Sequence, residues 1–239
     1  MIVLFTDFGL EGPYIGQLEA VLQQQAPGIP VINLFSDLPP FDIQGAAYLL
    51  PAYAAGFPPG TVFLCVVDPG VGSDRKGAVL QADGHWYVGP DAGLFSLVTR
   101  RARSVEAWWL PEVAGAAPSF HGRDVFAPAA ALLARNSRLP GGCASCTPDP
   151  RVDWPDDLAR VLYIDRFGNA ITGLRTAVVP ETATLTVQGH ALQRAQTFSD
   201  VSEGAAFWYA NSNGLVEVAV NRGRADVVLN IRAGTPVEL

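Results

Sequence analysis

Apolar and polar positions alternate along the first half of the chain in blocks of strand and helix length. Residues 1–6 are a short apolar, β-rich run ended by Asp7-Phe8-Gly9, a good turn sequence. From Tyr14 to Gln25, Ile15, Leu18, Val21 and Leu22 recur at helical spacing. Val31–Phe35 reads as a second strand, and Asp42–Leu50 as a second helix that Pro51 ends or kinks. Thr61–Val67 is continuously apolar, as expected of a strand covered on both faces. This βαβαβ succession predicts a largely parallel sheet flanked by helices. A hairpin over Ala78–Val88 turning at Asp83-Gly84, a strand over Ser104–Leu110 and a helix over Val125–Asn136 follow.

Leu139–Pro155 is broken by Pro140, Gly141, Gly142, Pro148, Pro150 and Pro155, the composition of a linker. Beyond it short β-rich runs recur at 158–164, 183–187, 215–220 and 226–231, with no amphipathic helix among them. The fold class expected is therefore an α/β N-terminal domain over 1–145 and a small all-β C-terminal barrel or sandwich over 156–239.

Composition narrows the function classes. With 49% hydrophobic and 16% charged residues in 239, the chain has material for real cores and is no disordered segment. Its net charge of −7 lacks the basic footprint of a nucleic-acid binder. No apolar run approaches the roughly 18 residues of a membrane span. The N-terminus reads as a buried strand rather than a signal peptide, so a cytoplasmic location is expected. Of three cysteines, Cys65 sits in an apolar run; Cys143 and Cys146 form a lone CxxC in a loop, with no histidine at ligand spacing, so no metal site is expected.

Two acids, Asp7 and Asp68, fall at the carboxyl ends of predicted parallel strands, where open α/β sheets place their ligand crevice. Either alone reads better as a turn residue; together they favour a site. The segment Asp68-Pro69-Gly70-Val71-Gly72-Ser73-Asp74-Arg75 has neither a phosphate-loop lysine nor a dinucleotide fingerprint. A loop that returns Arg75 to Asp68 as a charge pair suits it better. His121 precedes a helix within Ser119–Pro128, while Arg123 and Asp124 read as a first-turn ion pair. In the second half, Asp165–Asn169 and Asn211–Gly214 read as hairpin turns; an aromatic beside an Asn would also suit a heteroaromatic base.

Taken in order, Thr6-Asp7-Phe8-Gly9-Leu10, Val66–Gly72 with Arg75, Gly89-Pro90-Asp91, Phe120–Ala130, and Asn211-Ser212-x-Gly214 with Glu217 resemble the S-adenosyl-L-methionine (SAM) hydroxide adenosyltransferases, relatives of the fluorinating and chlorinating enzymes. The resemblance spans nearly the whole chain. It implies hydrolysis of SAM to adenosine and L-methionine, with no cofactor and no metal. It also implies a homotrimer whose site lies where one subunit's N-terminal domain meets a neighbour's C-terminal domain, with no nucleic-acid or membrane partner. The family's Asp-Arg-His set maps onto Asp68, Arg75 and His121. Substrate contacts map onto Asp7, Phe8, Phe41, Asp165, Phe167, Asn169, Ser212 and Glu217. Gly12, where relatives often carry Asp, and Ala92, in place of Asn, depart from the pattern. A non-catalytic SAM or adenosine sensor, or a halide-using adenosyl transferase, are the alternatives.

The implied chemistry needs no acid at sulfur, because a sulfonium leaves as a neutral thioether. The nucleophile is the difficulty: bulk water, with a pKa of about 15.7, would need a shift of roughly 9 units for full ionisation at neutral pH, about 12 kcal/mol. One Arg and one His do not supply that. Water polarised by them and losing its proton during attack does not require it. Whether Asp68 or His121 accepts that proton is open at this level.

Overall fold

The computed structural model describes residues 1–239 as two units, Met1–Arg151 and Val152–Leu239. The first is built on a seven-stranded sheet of order β2-β1-β3-β5-β4-β6-β7. Its strands are β1 (Ile2–Thr6), β2 (Val31–Phe35), β3 (Val62–Val66), β4 (Gly77–Ala82), β5 (His85–Pro90), β6 (Val105–Trp109) and β7 (Ala144–Ser145). β1 pairs in parallel with β2 and β3, and β3 with β5; β4, β6 and β7 are antiparallel to their neighbours. The sheet is thus mixed rather than largely parallel. The tight Asp83-Gly84 turn forces β4 antiparallel to β5, and β6 and β7 each add antiparallel to the strand before it in the sheet.

Helices cover both faces. α1 (Tyr14–Gln25) and α4 (Ala127–Asn136) share one face, where Leu18, Leu22, Ala130 and Leu133 join Ile2, Leu4, Val62 and Leu64 in one buried cluster. Phe5 points the other way, edge-on to Phe35, which meets Tyr53 of α2 (Ile43–Ala54). Every residue of β1 and β3 is buried, which explains their unbroken apolar runs. Asp42 caps α2 by accepting the Gly45 N–H at 2.9 Å. α2 runs through Pro51 to Ala54 instead of ending there; the helix absorbs the lost N–H in its last turn.

The Pro-rich stretch is more than a linker. Ala144 and Ser145 pair with Trp109 and Trp108, the Cys146 N–H donates to the Ala107 carbonyl at 2.9 Å, and Ser96 of α3 (Ser96–Arg101) donates to the Asp149 carbonyl at 2.7 Å. These bonds carry the first unit on to Arg151.

In the second unit, a four-stranded antiparallel sheet has the order β12-β13-β9-β8, with a separate hairpin of β10 (Leu185–Val187) and β11 (His190–Leu192). β8 is Leu158–Ile164, β9 Ala170–Arg175, β12 Ala206–Ala210 and β13 Leu215–Val220. Isolated bridges join the sheet and the hairpin: Arg160 of β8 meets Pro236 and Thr186 of β10 meets Glu238, while Arg194, just after β11, meets Trp208 of β12. The apolar run at 226–231 is not a strand: Ala225–Val228 forms a short helix, α5, whose Val227 and Val228 are exposed while Leu229 and Ile231 enter the core. Three strands, β9, β11 and β12, lack the strict alternation that would have marked them. β9 carries Thr172 and Gly173, with Thr172 buried and its hydroxyl donating to the Val216 carbonyl at 2.8 Å.

Candidate active site

The switch in connection direction falls between β1 and β3: the chain leaves β1 through α1 to β2 on one side, then returns across it through α2 to β3 on the other. Asp7 and Asp68 follow those two strands. The crevice outside the carboxyl ends is therefore acidic, and a cavity of about 320 Å³ opens there, lined by Asp7, Phe8, Phe41, Asp68, Phe120 and His121 among others.

Asp7 is held by its neighbour across the cavity mouth. Its Oδ2 accepts the Phe41 N–H at 2.9 Å. Phe41 has φ of +66°, the left-handed region that is costly for an aromatic residue, and leaves its ring 72% exposed. Burial pushes the Asp7 carboxyl above its usual value; the Phe41 N–H opposes this and the nearby Asp68 charge adds to it.

Asp68, Arg75 and His121 meet beside it. The loop returns on itself because Ser73 Oγ donates to the Gly70 carbonyl at 2.7 Å and Gly72 takes φ of +81°. Arg75 Nη2 then donates to Asp68 Oδ2 and also lies 3.1 Å from His121 Nδ1. Arg75 Nη1 donates to the Lys76 carbonyl at 2.9 Å, and the guanidinium lies over Phe126, 5.3 Å from the ring centre. The side chains of Arg75 and Asp68 are only 9% and 6% exposed. Burial raises the Asp68 carboxyl above its ordinary range, against the Arg75 cation and its hydrogen bond, which pull it down.

His121 is delivered by a single π-type turn, Gly122–Phe126, that leads into α4. That turn is pinned by the expected ion pair. Arg123 Nε and Nη2 donate to Asp124 at 2.6 and 2.9 Å, Asp124 Oδ2 accepts the Ala117 N–H at 2.9 Å, and Arg123 Nη1 reaches Gln17 of α1 at 3.2 Å. Phe8, Tyr14 and Phe120 form an aromatic triangle with ring centres 5.4–5.9 Å apart. Gly122 packs so closely on it that a Cβ would stand 3.1 Å from Phe8.

In the second unit, the β8–β9 and β12–β13 turns bring together a second polar group. Asp165 Oδ1 accepts the N–H groups of Phe167 and Asn169 at 2.9 and 2.8 Å, and Asn169 Nδ2 donates to Asp165 Oδ2 at 3.1 Å. Phe167 is thereby held outward, 75% exposed. Glu217 is buried on β13, accepting from the Tyr209 hydroxyl and, at 3.0 Å, from Asn211 Nδ2. Burial raises its carboxyl, while Tyr209, Asn211 and Asn169 lower it. Ser212 sits exposed at the tip of the β12–β13 turn.

A family model for the SAM hydroxide adenosyltransferase N-terminal domain matches residues 2–141, and one for the C-terminal domain matches residues 159–238. The chain belongs to the SAM hydroxide adenosyltransferase family. A Thermus thermophilus protein named (R)-S-adenosyl-L-methionine hydrolase is 42% identical over all of this chain and 98% of its own length. A protein of the same name from Salinispora tropica is 35% identical over 96% of this chain and 93% of its own. Among solved structures, an uncharacterized conserved protein from Thermotoga maritima superposes with a TM-score of 0.90 at 29% identity, covering 100% of this chain and 99% of that one.

On this member of the SAM hydroxide adenosyltransferase family, Asp7, Phe8, Phe41, Asp68 and His121 line one cavity and Arg75 stands behind it, bonded to Asp68. Asp165, Phe167, Asn169, Ser212 and Glu217 gather on adjoining turns and strands of the second unit. Sequence reading passed over Tyr14 and the bonding roles of Tyr209 and Asn211. Tyr14 reads as one more helix residue, and the period-2 pattern of β12 is too short to show that Tyr209 faces a buried acid. No group of three or more His, Cys, Asp or Glu side chains is placed to hold a metal, and all three cysteines are free. No helix is long and apolar enough to cross a membrane.

Proposed function

We propose that this chain hydrolyses SAM to adenosine and L-methionine by attack of a polarised water on ribose C5′. The observation that carries this reading is the Asp68–Arg75–His121 cluster beside an acidic cavity, in a chain 42% identical to a protein named for that hydrolysis. The two carboxylates, Asp7 and Asp68, suit a sulfonium-bearing ligand. Asp7 retains a carboxylate oxygen beyond its bond to Phe41 for a ribose hydroxyl, and Phe8 and Phe41 supply apolar walls. Arg75 and His121 polarise the water and hold it for in-line attack; removal of bulk water strengthens those fixed interactions.

Asp165, Phe167, Asn169, Ser212 and Glu217 are assigned to the adenine and methionine ends of the substrate. Phe167, exposed on its turn, offers a face for stacking, and the amide of Asn169 offers an edge. A homotrimer in which one subunit's N-terminal domain and a neighbour's C-terminal domain share the substrate fits the division of these groups between two units. The chain works in the cytoplasm without a cofactor.

The test is mass spectrometry of products after incubation with SAM, in chloride and chloride-free buffer, with and without EDTA. Adenosine and methionine are expected in every arm. Methylthioadenosine as sole nucleoside, a chlorinated nucleoside, EDTA-sensitive turnover, or tight binding without turnover would each overturn the assignment.

A further inference from the structure

We infer that Arg224 and Asp226 clamp the turn that carries Phe167, and that this clamp, acting through the Phe167 ring, sets the affinity for the adenine end of the substrate. The inference rests on the assignment of Phe167 to adenine above and deepens it by naming two positioning residues.

A ring offered for stacking contributes most when it is already in place, because ordering a mobile side chain on binding costs affinity. Packing does not fix Phe167, which is 75% exposed. Its position has to come from the backbone of its own turn. On one side, Asp165 supplies the order: its Oδ1 accepts the Phe167 and Asn169 N–H groups, and its carbonyl accepts the Gly168 N–H at 2.9 Å. Those bonds engage N–H groups and leave the carbonyls of Arg166 and Gly168, the two residues that flank Phe167.

The start of α5 takes both. Arg224 Nη1 donates to the Arg166 carbonyl at 2.9 Å, and the Asp226 N–H donates to the Gly168 carbonyl at 3.1 Å. The grip is itself braced, because Arg224 Nε and Nη2 donate to Asp226 Oδ1 and Oδ2 at 3.0 and 2.8 Å, a fork that fixes the guanidinium plane. The Asp165 carboxylate attracts the same cation. Gly168 lies so close that a Cβ would stand 2.5 Å from Asp226 Oδ1 and 2.8 Å from Arg224 Cβ, so the turn has no room to rock toward the pair. α5 is anchored in its turn: Ala225, Leu229 and Ile231 are buried, and the Ile231 N–H donates to the Asp226 carbonyl at 3.0 Å.

Support therefore runs from the core through Asp226 and Arg224 to the backbone on both sides of an exposed ring. The side chains of Arg224 and Asp226 are 48% and 22% exposed, and an ion pair so open to water contributes little to stability. What it fixes is the position of the turn.

Arg224→Met tests this, since it keeps the aliphatic stem against Gly168 and removes the guanidinium donors. The KM for SAM and the calorimetric Kd for adenosine should rise together by about 3–10-fold, with kcat within about twofold of wild type and product inhibition by methionine unchanged. Arg224→Lys, which keeps the charge without the fork, should fall between. A merely weakened fold would give the opposite split, kcat per total protein falling at unchanged KM; that result, or constants equal to wild type, overturns the inference. In a Phe167→Ala background, Arg224→Met should add less than about twofold to the adenosine Kd, because its effect passes through the ring, and full additivity of the two losses also overturns it. Hydrogen exchange gives a readout independent of turnover: the amides of Phe167, Gly168 and Asn169 should exchange about tenfold faster in Arg224→Met, and unchanged protection would show that no clamp exists. Wild-type protein that forms and binds no adenosine would sink the reading of the site instead, and the exchange rates would still decide the clamp.

Discussion

Arg75→Met isolates the electrostatics of the buried cluster. Methionine keeps most of the aliphatic volume against Phe126 but removes the cation, leaving Asp68 with its side chain 6% exposed and no counter-charge. Removing one partner of a buried ion pair costs about 3–5 kcal/mol, because the survivor remains out of water. With a urea m-value of about 2–3 kcal/mol/M, the unfolding midpoint at about pH 8 should fall by roughly 1–2.5 M. The pH dependence makes the argument specific. Arg75 lowers the Asp68 carboxyl in the wild type, so its loss moves the folded-state value further above the unfolded one. Between those two folded-state values, the variant alone binds a proton on folding. Its deficit therefore shrinks by about 1.4 kcal/mol for each unit of falling pH across that window. Adding Asp68→Leu should recover much of the loss, since replacing both charges with apolar groups removes the desolvation cost as well. Urea titrations followed by tryptophan fluorescence at about pH 5 and about pH 8 provide the assay. A deficit below about 1 kcal/mol, or one that stays flat with pH, would refute the account of Asp68 as an uncompensated buried charge.

Gly89→Ala puts a Cβ onto the carbonyl oxygen of Cys65, in the parallel β3–β5 ladder, and neither backbone can yield without breaking register. It should cost more than about 3 kcal/mol or abolish soluble expression; a Tm within a few degrees of wild type would contradict the close approach. Glu217→Gln separates stability from function. Burial raises the folded-state value of Glu217, so its contribution to stability declines as pH rises from the ordinary carboxylate range through that value. The amide can accept from Asn211 and donate to the Tyr209 hydroxyl, so at about pH 8 the variant should match or exceed wild-type stability by about 1 kcal/mol, the gain vanishing in acid. SAM turnover should fall, and a destabilised but fully active variant would count against both assignments.

The local signals that proved legible share one property: they are set by residues close in sequence. Turn chemistry after β1 and β3 places Asp7 and Asp68 at strand ends, and a separation of seven positions across a Gly-containing loop is enough to return Arg75 to Asp68. The Arg123–Asp124 pair needs only adjacent residues. The unbroken apolar runs of β1 and β3 report burial on both faces, whichever neighbours supply it. His121 stands apart, because its approach to Arg75 crosses 46 positions and depends on α4 lying against β1 and β3. The resemblance to a family named it, but periodicity alone could not.

What tertiary structure decided was pairing and exposure. The apolar composition of 226–231 is the same whether the segment is a strand or a turn of helix; packing turned Leu229 and Ile231 inward and left Val227 and Val228 out. A run of β-rich segments does not say whether the first and last will hydrogen-bond, so an open sheet and a barrel look alike until edges meet. The same holds for the mixed sheet, where β4 runs against both β5 and β6 on either side of it. Strand and helix periods record which side of each element meets a core. The hydrogen-bonding partner across a sheet, and the imidazole that comes to lie beside a guanidinium 46 positions away, are settled only when distant segments compete for the same space.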